Sequence, residues 1–144
     1  MISTKGRYGL RVMLDLAEHQ TDGCVTLKDI AQRQNISKKY LEIIVKKLVD
    51  GKFLLGISGK GGGYRLTRLP EEYTVGEILE YMEDTLATVA CLKQDAPACP
   101  RAETCHTLPL WAEFDRMVHD FFFSRSLDSL LKPDNAQQEE PHET

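Results

Sequence analysis

A cluster of glycines near the middle of the chain limits the fold more than any other feature. Residues 59–63 read GKGGG and separate two short apolar stretches, 53–57 and 64–67. Both stretches are typical of β-strands, and a glycine-rich loop lets the chain reverse through positive φ angles. Gly51, just before the first stretch, is expected to end a helix as its C-cap. The pattern therefore predicts a β-hairpin with a glycine-rich tip.

Three helical segments are predicted before this hairpin. Apolar residues recur at helical spacing from Ser3 to His19, and two shorter helices follow. Thr26 and Ser37 are suited to cap the starts of these shorter helices. Asn35, between them, is one of the few non-glycine residues that tolerates a left-handed turn. The order of elements predicts a winged helix-turn-helix over residues 1–70.

The remainder of the chain is predicted to be helical on either side of an irregular loop. A helix is expected from Thr74 to Glu83, and a long one from Leu108 to Leu131. The long helix carries more apolar surface than residues 71–132 can cover alone, so we expect a homodimer formed through it. Residues 133–144 are polar and acidic and are predicted to be a disordered tail. The fold class expected is mainly α with a small β-hairpin.

Charge is distributed unevenly along the chain. The formal net charge is −4, yet residues 1–70 hold 13 Lys/Arg against 6 Asp/Glu, a net of +7. Residues 71–132 hold 5 against 12, a net of −7. A basic helix-turn-helix is the electrostatic pattern of a DNA-binding unit. No apolar run is long enough for a membrane span and no secretory signal is evident, so a cytoplasmic protein is expected.

The second helix of the helix-turn-helix pair is the element expected to enter the major groove. Glu42 can accept a hydrogen bond from a cytosine amino group, and Ile43 can contact a thymine methyl. Lys46 and Lys47 lie further along and are expected to contact phosphates. Lys60 and the amides of the wing loop can lie against the DNA backbone or the minor groove. The candidate DNA-binding residues are Lys38, Lys39, Tyr40, Glu42, Ile43, Lys46, Lys60, Gly61 and Gly62. The partner expected is double-stranded DNA with a pseudo-palindromic operator.

Three of the four cysteines fall within 15 residues: Cys91, Cys99 and Cys105. Thiolates suit iron–sulfur clusters, zinc and copper(I), and the absence of a Cys-x-x-Cys pair makes the spacing unlike that of a zinc ribbon. His106 is the nearest nitrogen donor for a fourth ligand. Asp95 or Glu103 can supply an oxygen instead. The loop is thus a candidate metal or cluster site.

The sequence gives less support to other functional classes than to DNA binding. We find no plausible nucleophile–base pair and no phosphate-binding loop, so an enzyme is not expected. Two alternatives stay open for the cysteine loop. It can form a zinc or thiol-redox site, or the acidic half of the chain can dock a protein partner and report the state of the cysteines to an enzyme.

Four motifs together resemble a known family. The segment Ser3–Tyr8, the triplet Tyr40–Glu42, the stretch Gly59–Leu66 and the cysteine loop before Trp111 are similar to the IscR/NsrR/CymR-type bacterial winged-helix regulators. The similarity covers residues 1 to about 131.

This resemblance implies a homodimer that crosses through the long C-terminal helix. For the cysteine-bearing members it implies an iron–sulfur cluster that senses cluster supply, redox state or nitric oxide. The IscR-like branch implies a [2Fe–2S] cluster held by three cysteines and one histidine, with Glu42 matching a glutamate involved in DNA discrimination. The histidine of that branch stands where this chain has Leu108, so His106 is the candidate that replaces it.

Overall fold

The computed structural model describes residues 2–19 and 23–132, and it confirms a mainly α fold with a small β-hairpin. The predicted tail, 133–144, lies outside the described residues. Five α-helices and two strands follow one another as α1 (Thr4–His19), α2 (Leu27–Gln34), α3 (Lys38–Asp50), β1 (Leu54–Ile57), β2 (Gly63–Leu66), α4 (Val75–Glu83) and α5 (Leu108–Phe123).

The ends of the helix-turn-helix pair are fixed by the predicted local signals. The Thr26 hydroxyl accepts the backbone N–H of Asp29 at 3.2 Å, and α2 then ends at Asn35 in the left-handed conformation with φ 53°. The Ser37 hydroxyl accepts the backbone N–H of Tyr40 at 3.2 Å and starts α3. Each cap satisfies an amide that the helix itself leaves unpaired.

One apolar core joins the helices to the hairpin. The buried faces of α1, α2 and α3 meet there, together with one residue from each strand and the inner face of α4. Removing these side chains from water supplies the main stabilisation, at about 25 cal/mol per Å² of apolar surface. The fully buried side chains include Leu16, Ile30, Leu41, Ile44, Leu48, Tyr73, Ile78, Met82 and Leu127.

Backbone hydrogen bonds join the hairpin to the segment before α2. Strands β1 and β2 are antiparallel, with Leu54 opposite Leu66. Val25 and Tyr64 exchange two backbone hydrogen bonds, each 2.8 Å, which form an isolated antiparallel β-bridge beside β2. Gly63 passes so close to Val25 that an added Cβ would lie 2.5 Å from its carbonyl oxygen, with φ at +148°. A glycine is therefore required where the wing joins the helix-turn-helix.

The prediction for the end of α5 was wrong. The helix stops at Phe123 rather than Leu131, so it has 16 residues and a length of about 24 Å. The chain turns back after Ser124. The backbone N–H of Val75 donates to Arg125 at 2.8 Å, and that of Leu127 donates to Tyr73 at 2.9 Å. Leu127 is fully buried in the main core, and this burial outweighs continuation of the helix.

The end of α3 also differs in detail from the expectation. Gly51 is the C-cap residue, but its φ is −82°, and the left-handed residue is Lys52 with φ 64°. A glycine is required at position 51 because the ring of Tyr81 occupies the space that a side chain would take. Close packing of α4, rather than a left-handed turn, explains the glycine here.

Candidate DNA interface and cysteine loop

The exposed face of α3 carries the predicted base-reading residues. Glu42 and Lys46 are exposed, and Ile43 is 56 % exposed although it is a large apolar residue. Lys38 and Lys39 are exposed in the first turn, directly after the Ser37 cap. The opposite face is buried in the core, so α3 can present this surface only outward. An exposed isoleucine between charged side chains is the arrangement needed to contact a thymine methyl.

Two residues near this face behave differently from expectation. Lys47 is half-buried, and its Nζ donates to the backbone oxygen of Met82 at 3.2 Å. Lys47 is therefore paired within the protein, and its predicted contact with a phosphate stays a prediction. Tyr40 is half-buried, and its ring meets the edge of Tyr8 at a centroid distance of 5.7 Å. Its assignment to the DNA interface stays a prediction.

The wing places one lysine at its tip. Lys60 is exposed, and Gly61 beside it has φ +77°. The backbone N–H of Gly62 donates to the Gly59 carbonyl at 3.0 Å, so this amide closes the turn of the loop. An added Cβ on Gly62 would overlap the carbonyl of Ile57. The glycines shape the tip, and Lys60 supplies its charge.

Sequence reasoning missed one exposed cation of the wing. Arg65 lies on β2 directly opposite Leu55, on the outward face of the hairpin. Leu55 and Ile57 share that face and are each 41 % exposed. The period-2 alternation around Leu66, which is buried, was the signal that could have identified Arg65.

A buried carboxylate fixes the helix that precedes the recognition helix. Asp15 on α1 is 1 % exposed and accepts hydrogen bonds from Arg33 at 3.0 and 2.8 Å and from Gln34 at 2.9 Å. Arg11 in turn donates to the side chain of Gln34 at 3.1 Å and to its backbone oxygen. Burial alone would raise the pKa of Asp15, but the bonds from Arg33 and Gln34 hold it below its usual range.

The cysteine loop connects α4 to α5 and carries three thiols. All four cysteines of the chain are free thiols; Cys91 is exposed, whereas Cys99 and Cys105 are half-buried. His106 is exposed and lies in a bend before α5. Across residues 2–19 and 23–132, no three His, Cys, Asp or Glu side chains lie close enough together to hold a metal ion. The donor chemistry of three thiols fits a cluster, and binding one requires the loop to close.

Cys105 lies in a hydrogen-bonding environment at the start of α5. Its Sγ is 3.3 Å from the hydroxyl of Thr107, and α5 begins at Leu108. Hydrogen bonds from Thr107 and from the amides of Thr107 and Leu108 lower the pKa of Cys105, with a small addition from Arg101. The thiolate is the form of cysteine that binds metals and reacts as a nucleophile.

The outward face of α5 is an apolar stripe. Its residues are spaced by four, three and four positions, which places them on one side of the helix. None of them is buried by the rest of the described chain, and Met117 is 62 % exposed. The α5 stripe consists of Leu110, Phe114, Met117 and Phe121, with Trp111 beside it.

Comparison with known proteins decides the family. A family model described as "Rrf2: Iron-dependent Transcriptional regulator" matches residues 2–133. The chain belongs to the Rrf2 family. This winged-helix chain is therefore a DNA-binding transcriptional regulator, which confirms the resemblance found in the sequence and the expectation that the chain is not an enzyme.

Individual Rrf2 relatives match over nearly the whole chain. The protein rrf2 of Nitratidesulfovibrio vulgaris is 35 % identical over 148 residues, covering 99 % of this chain and 98 % of that protein. The structure of CymR, described as the global cysteine regulator of Bacillus subtilis, has a TM-score of 0.73 at 35 % identity, covering 90 % of this chain and 95 % of that one. The structure of T. potens IscR also has a TM-score of 0.73, at 31 % identity, with 98 % and 93 % covered.

None of the helices within the described residues is long and apolar enough to cross a membrane.

Proposed function

We propose that this Rrf2-family chain is a homodimeric regulator that reads DNA with α3 and the wing and responds to a group bound at its cysteine loop. The observation that carries DNA reading is the outward face of α3. That face combines four exposed charged residues with the exposed Ile43, on a helix whose other side is locked in the core. The positive charge of residues 1–70 supplies the attraction to phosphates.

DNA reading is tested by selecting duplexes from a random-sequence pool with the full chain. A recovered motif with two related half-sites about one helical turn apart supports a two-fold dimer that places one α3 in each major groove. Glu42→Ala is expected to relax the preference at a cytosine position, because the side-chain acceptor is lost. A pool that shows no enrichment contradicts the proposal.

The proposed dimer interface is the α5 stripe. An amphipathic helix with several large side chains exposed in a row is unfavourable in water, and a second copy of the same helix covers it with matching apolar surface. Sedimentation at micromolar concentration should show a dimer. A monomer under these conditions removes the dimer from the proposal.

The group proposed at the cysteine loop is an iron–sulfur cluster, taken here as [2Fe–2S], with Cys91, Cys99 and Cys105 as sulfur ligands and His106 as the fourth. Such a cluster supplies a centre that responds to redox state, iron supply or nitric oxide. The three thiols lie on one surface segment, and the lowered pKa of Cys105 favours the ligating thiolate. This support is chemical, since the sulfurs must still be brought together.

Anaerobic purification tests the cluster. Coloured protein with equal amounts of iron and sulfide supports it, and Cys99→Ala should abolish the colour. His106→Ala should shift the absorption spectrum; an unchanged spectrum excludes His106 as a ligand. Colourless protein containing zinc removes the cluster and leaves DNA reading intact.

A thiol-redox function is the second candidate, and the environment of Cys105 favours it. A half-buried thiol with a lowered pKa, on a surface loop at the start of a helix, is suited to oxidation. Aerobic oxidation that changes DNA affinity in metal-free protein, with the change lost in Cys105→Ser, supports this candidate over the cluster.

A further inference from the structure

The last turn of α4 contacts both α1 and the recognition helix α3. We name the four residues Tyr81–Asp84 the α4 clamp. On one side, the carboxylate of Glu83 accepts the backbone N–H of Ser3 at 2.8 Å and its hydroxyl at 2.7 Å. On the other side, the Tyr81 hydroxyl donates to the backbone oxygen of Lys47 at 2.6 Å. The clamp therefore holds the start of α1 and the end of α3 together.

Lys47 is bound to the clamp through its charge. Its Nζ donates to the backbone oxygen of Met82 at 3.2 Å and to the carboxylate of Asp84 at 3.2 Å. A cation at the C-terminus of α4 is favoured by the partial negative charge there. The side chain of Asp84 is 81 % exposed and that of Lys47 only 24 %, so the bond to the Met82 carbonyl is the more persistent contact.

Packing fixes the distance between α3 and the clamp. The ring of Tyr81 lies against Gly51 and occupies the space of a missing side chain. It also packs on Phe53, with ring centroids 5.0 Å apart. This close packing keeps the end of α3 against the clamp.

The cysteine loop begins directly after the α4 clamp. Asp84 leaves α4 with φ 68°, a left-handed conformation that an aspartate tolerates. The loop is then anchored at Leu86, which is buried, and at Thr88, whose backbone N–H donates to Asp115 on α5 at 2.7 Å. Only two residues separate Thr88 from Cys91, so we infer that closure of the loop around a bound group moves this anchored segment and, with it, Asp84.

From this arrangement we propose that the α4 clamp couples the cysteine loop to the DNA-reading helix α3, with Lys47 as the positioning residue. In this role Lys47 sets where α3 lies relative to α4. A change in the loop displaces Asp84 and Met82, and Lys47 transmits the displacement to α3. The effect of the loop on DNA affinity cannot exceed the difference between the free energies of the loop in the two positions of α3. The sensing role rests on the proposed function above.

The test compares neighbouring lysines in the full chain. Lys47→Met removes the contact with the clamp and keeps the apolar stem, whereas Lys46→Met removes the same charge from the exposed face of α3. Asp84→Asn tests the second contact and retains tolerance for a left-handed φ. A Cys24→Ser background restricts chemistry to the loop. The loop is perturbed in two ways, by reconstitution with iron and sulfide and by alkylation of its thiols with iodoacetate.

Two readouts are taken, namely amide hydrogen exchange of residues 38–52 and affinity for a duplex selected by the wild type. We expect loop perturbation to change α3 exchange and to alter DNA affinity by at least about fivefold in the wild type and in Lys46→Met. In Lys47→Met the change in exchange should vanish and the affinity difference should fall to about twofold or less. Asp84→Asn should show an intermediate loss.

The outcomes separate the clamp from the sensor. If reconstitution yields no cluster, the proposed cluster fails, while the alkylated protein still tests the clamp. If alkylation leaves α3 exchange unchanged in the wild type, or if Lys47→Met responds as the wild type does, the clamp is overturned. Equal loss in Lys46→Met and Lys47→Met also overturns it, because the effect then belongs to charge alone.

Discussion

The guanidinium of Arg33 on α2 donates two hydrogen bonds, 3.0 and 2.8 Å long, to the carboxylate of Asp15 on α1. The Asp15 side chain is completely buried and that of Arg33 is one-third exposed. The pair is therefore anchored at its acidic end, and it holds the helix that precedes the recognition helix.

Removing this anchor should destabilise the fold. In Asp15→Ala, Arg33 and Gln34 lose a buried acceptor, and we expect the free energy of unfolding to fall by about 2–3 kcal/mol, below the full value for a buried pair because Arg33 can turn to water. Urea denaturation followed by circular dichroism measures this. Glu18→Ala, exposed on the same helix, is the control and should change stability by less than about 0.5 kcal/mol.

The same carboxylate should make stability depend on acid. Because the pKa of Asp15 is lower in the folded chain than in the unfolded one, its contribution is present at neutral pH and is lost as pH falls through the folded value. Glu77, whose pKa is lowered by Arg68 and Thr74 against the effect of burial, acts in the same direction. Urea midpoints measured from pH 7 down to pH 3 should decline less steeply in Asp15→Asn. Identical slopes would contradict this assignment.

The turn after α5 gives a third expectation. Leu127→Ala empties a fully buried site and should cost about 2–4 kcal/mol of unfolding free energy. Leu130→Ala, three residues away and 43 % exposed, is the matched control and should be nearly neutral. Thermal denaturation compares the two. Equal effects would mean that this segment does not dock in the core.

The α5 stripe predicts a charge-sensitive assembly. Met117→Glu places a carboxylate on the most exposed position of the stripe, and sedimentation should show a shift from dimer to monomer. Arg116→Gln changes charge on the same helix away from the stripe and should leave the dimer intact. Helical content is expected to remain in both variants, since neither position is buried in the chain itself.

Electrostatic contact by the wing predicts a change in salt dependence. Lys60→Met should weaken DNA binding at low salt and reduce the slope of log affinity against log salt by about one. Lys93→Met, exposed in the cysteine loop, removes an equal charge away from the proposed interface and should keep the wild-type slope. Fluorescence anisotropy across a salt series gives both slopes, and a wing that does not touch DNA leaves them equal.

The features that could be predicted from the sequence are those with local causes. Thr26, Asn35 and Ser37 act on amides or turns within three residues, so their types alone located the helix-turn-helix. The exposed face of α3 followed in the same way from the spacing of its buried residues.

The misses have distant causes. The leucines beyond Phe123 continue a helical pattern, and only pairing with Tyr73 and Val75 shows that the chain turns back. Lys47 resembles Lys46 in sequence, and its partner is a carbonyl 35 residues later. The cysteine loop is harder still, because the convergence of its thiols depends on a bound group as much as on the chain.

The two hydrogen bonds between Val25 and Tyr64 have a consequence for the length of DNA that is read. They join the base of the wing to the residue that leads into α2, so we expect the wing and the helix-turn-helix to move as one unit. Such a unit fixes the spacing between two DNA contacts as well as contacting the bases. Operators should therefore tolerate changes of base more readily than the insertion of a single base pair between the groove contacted by α3 and the flank contacted by Lys60.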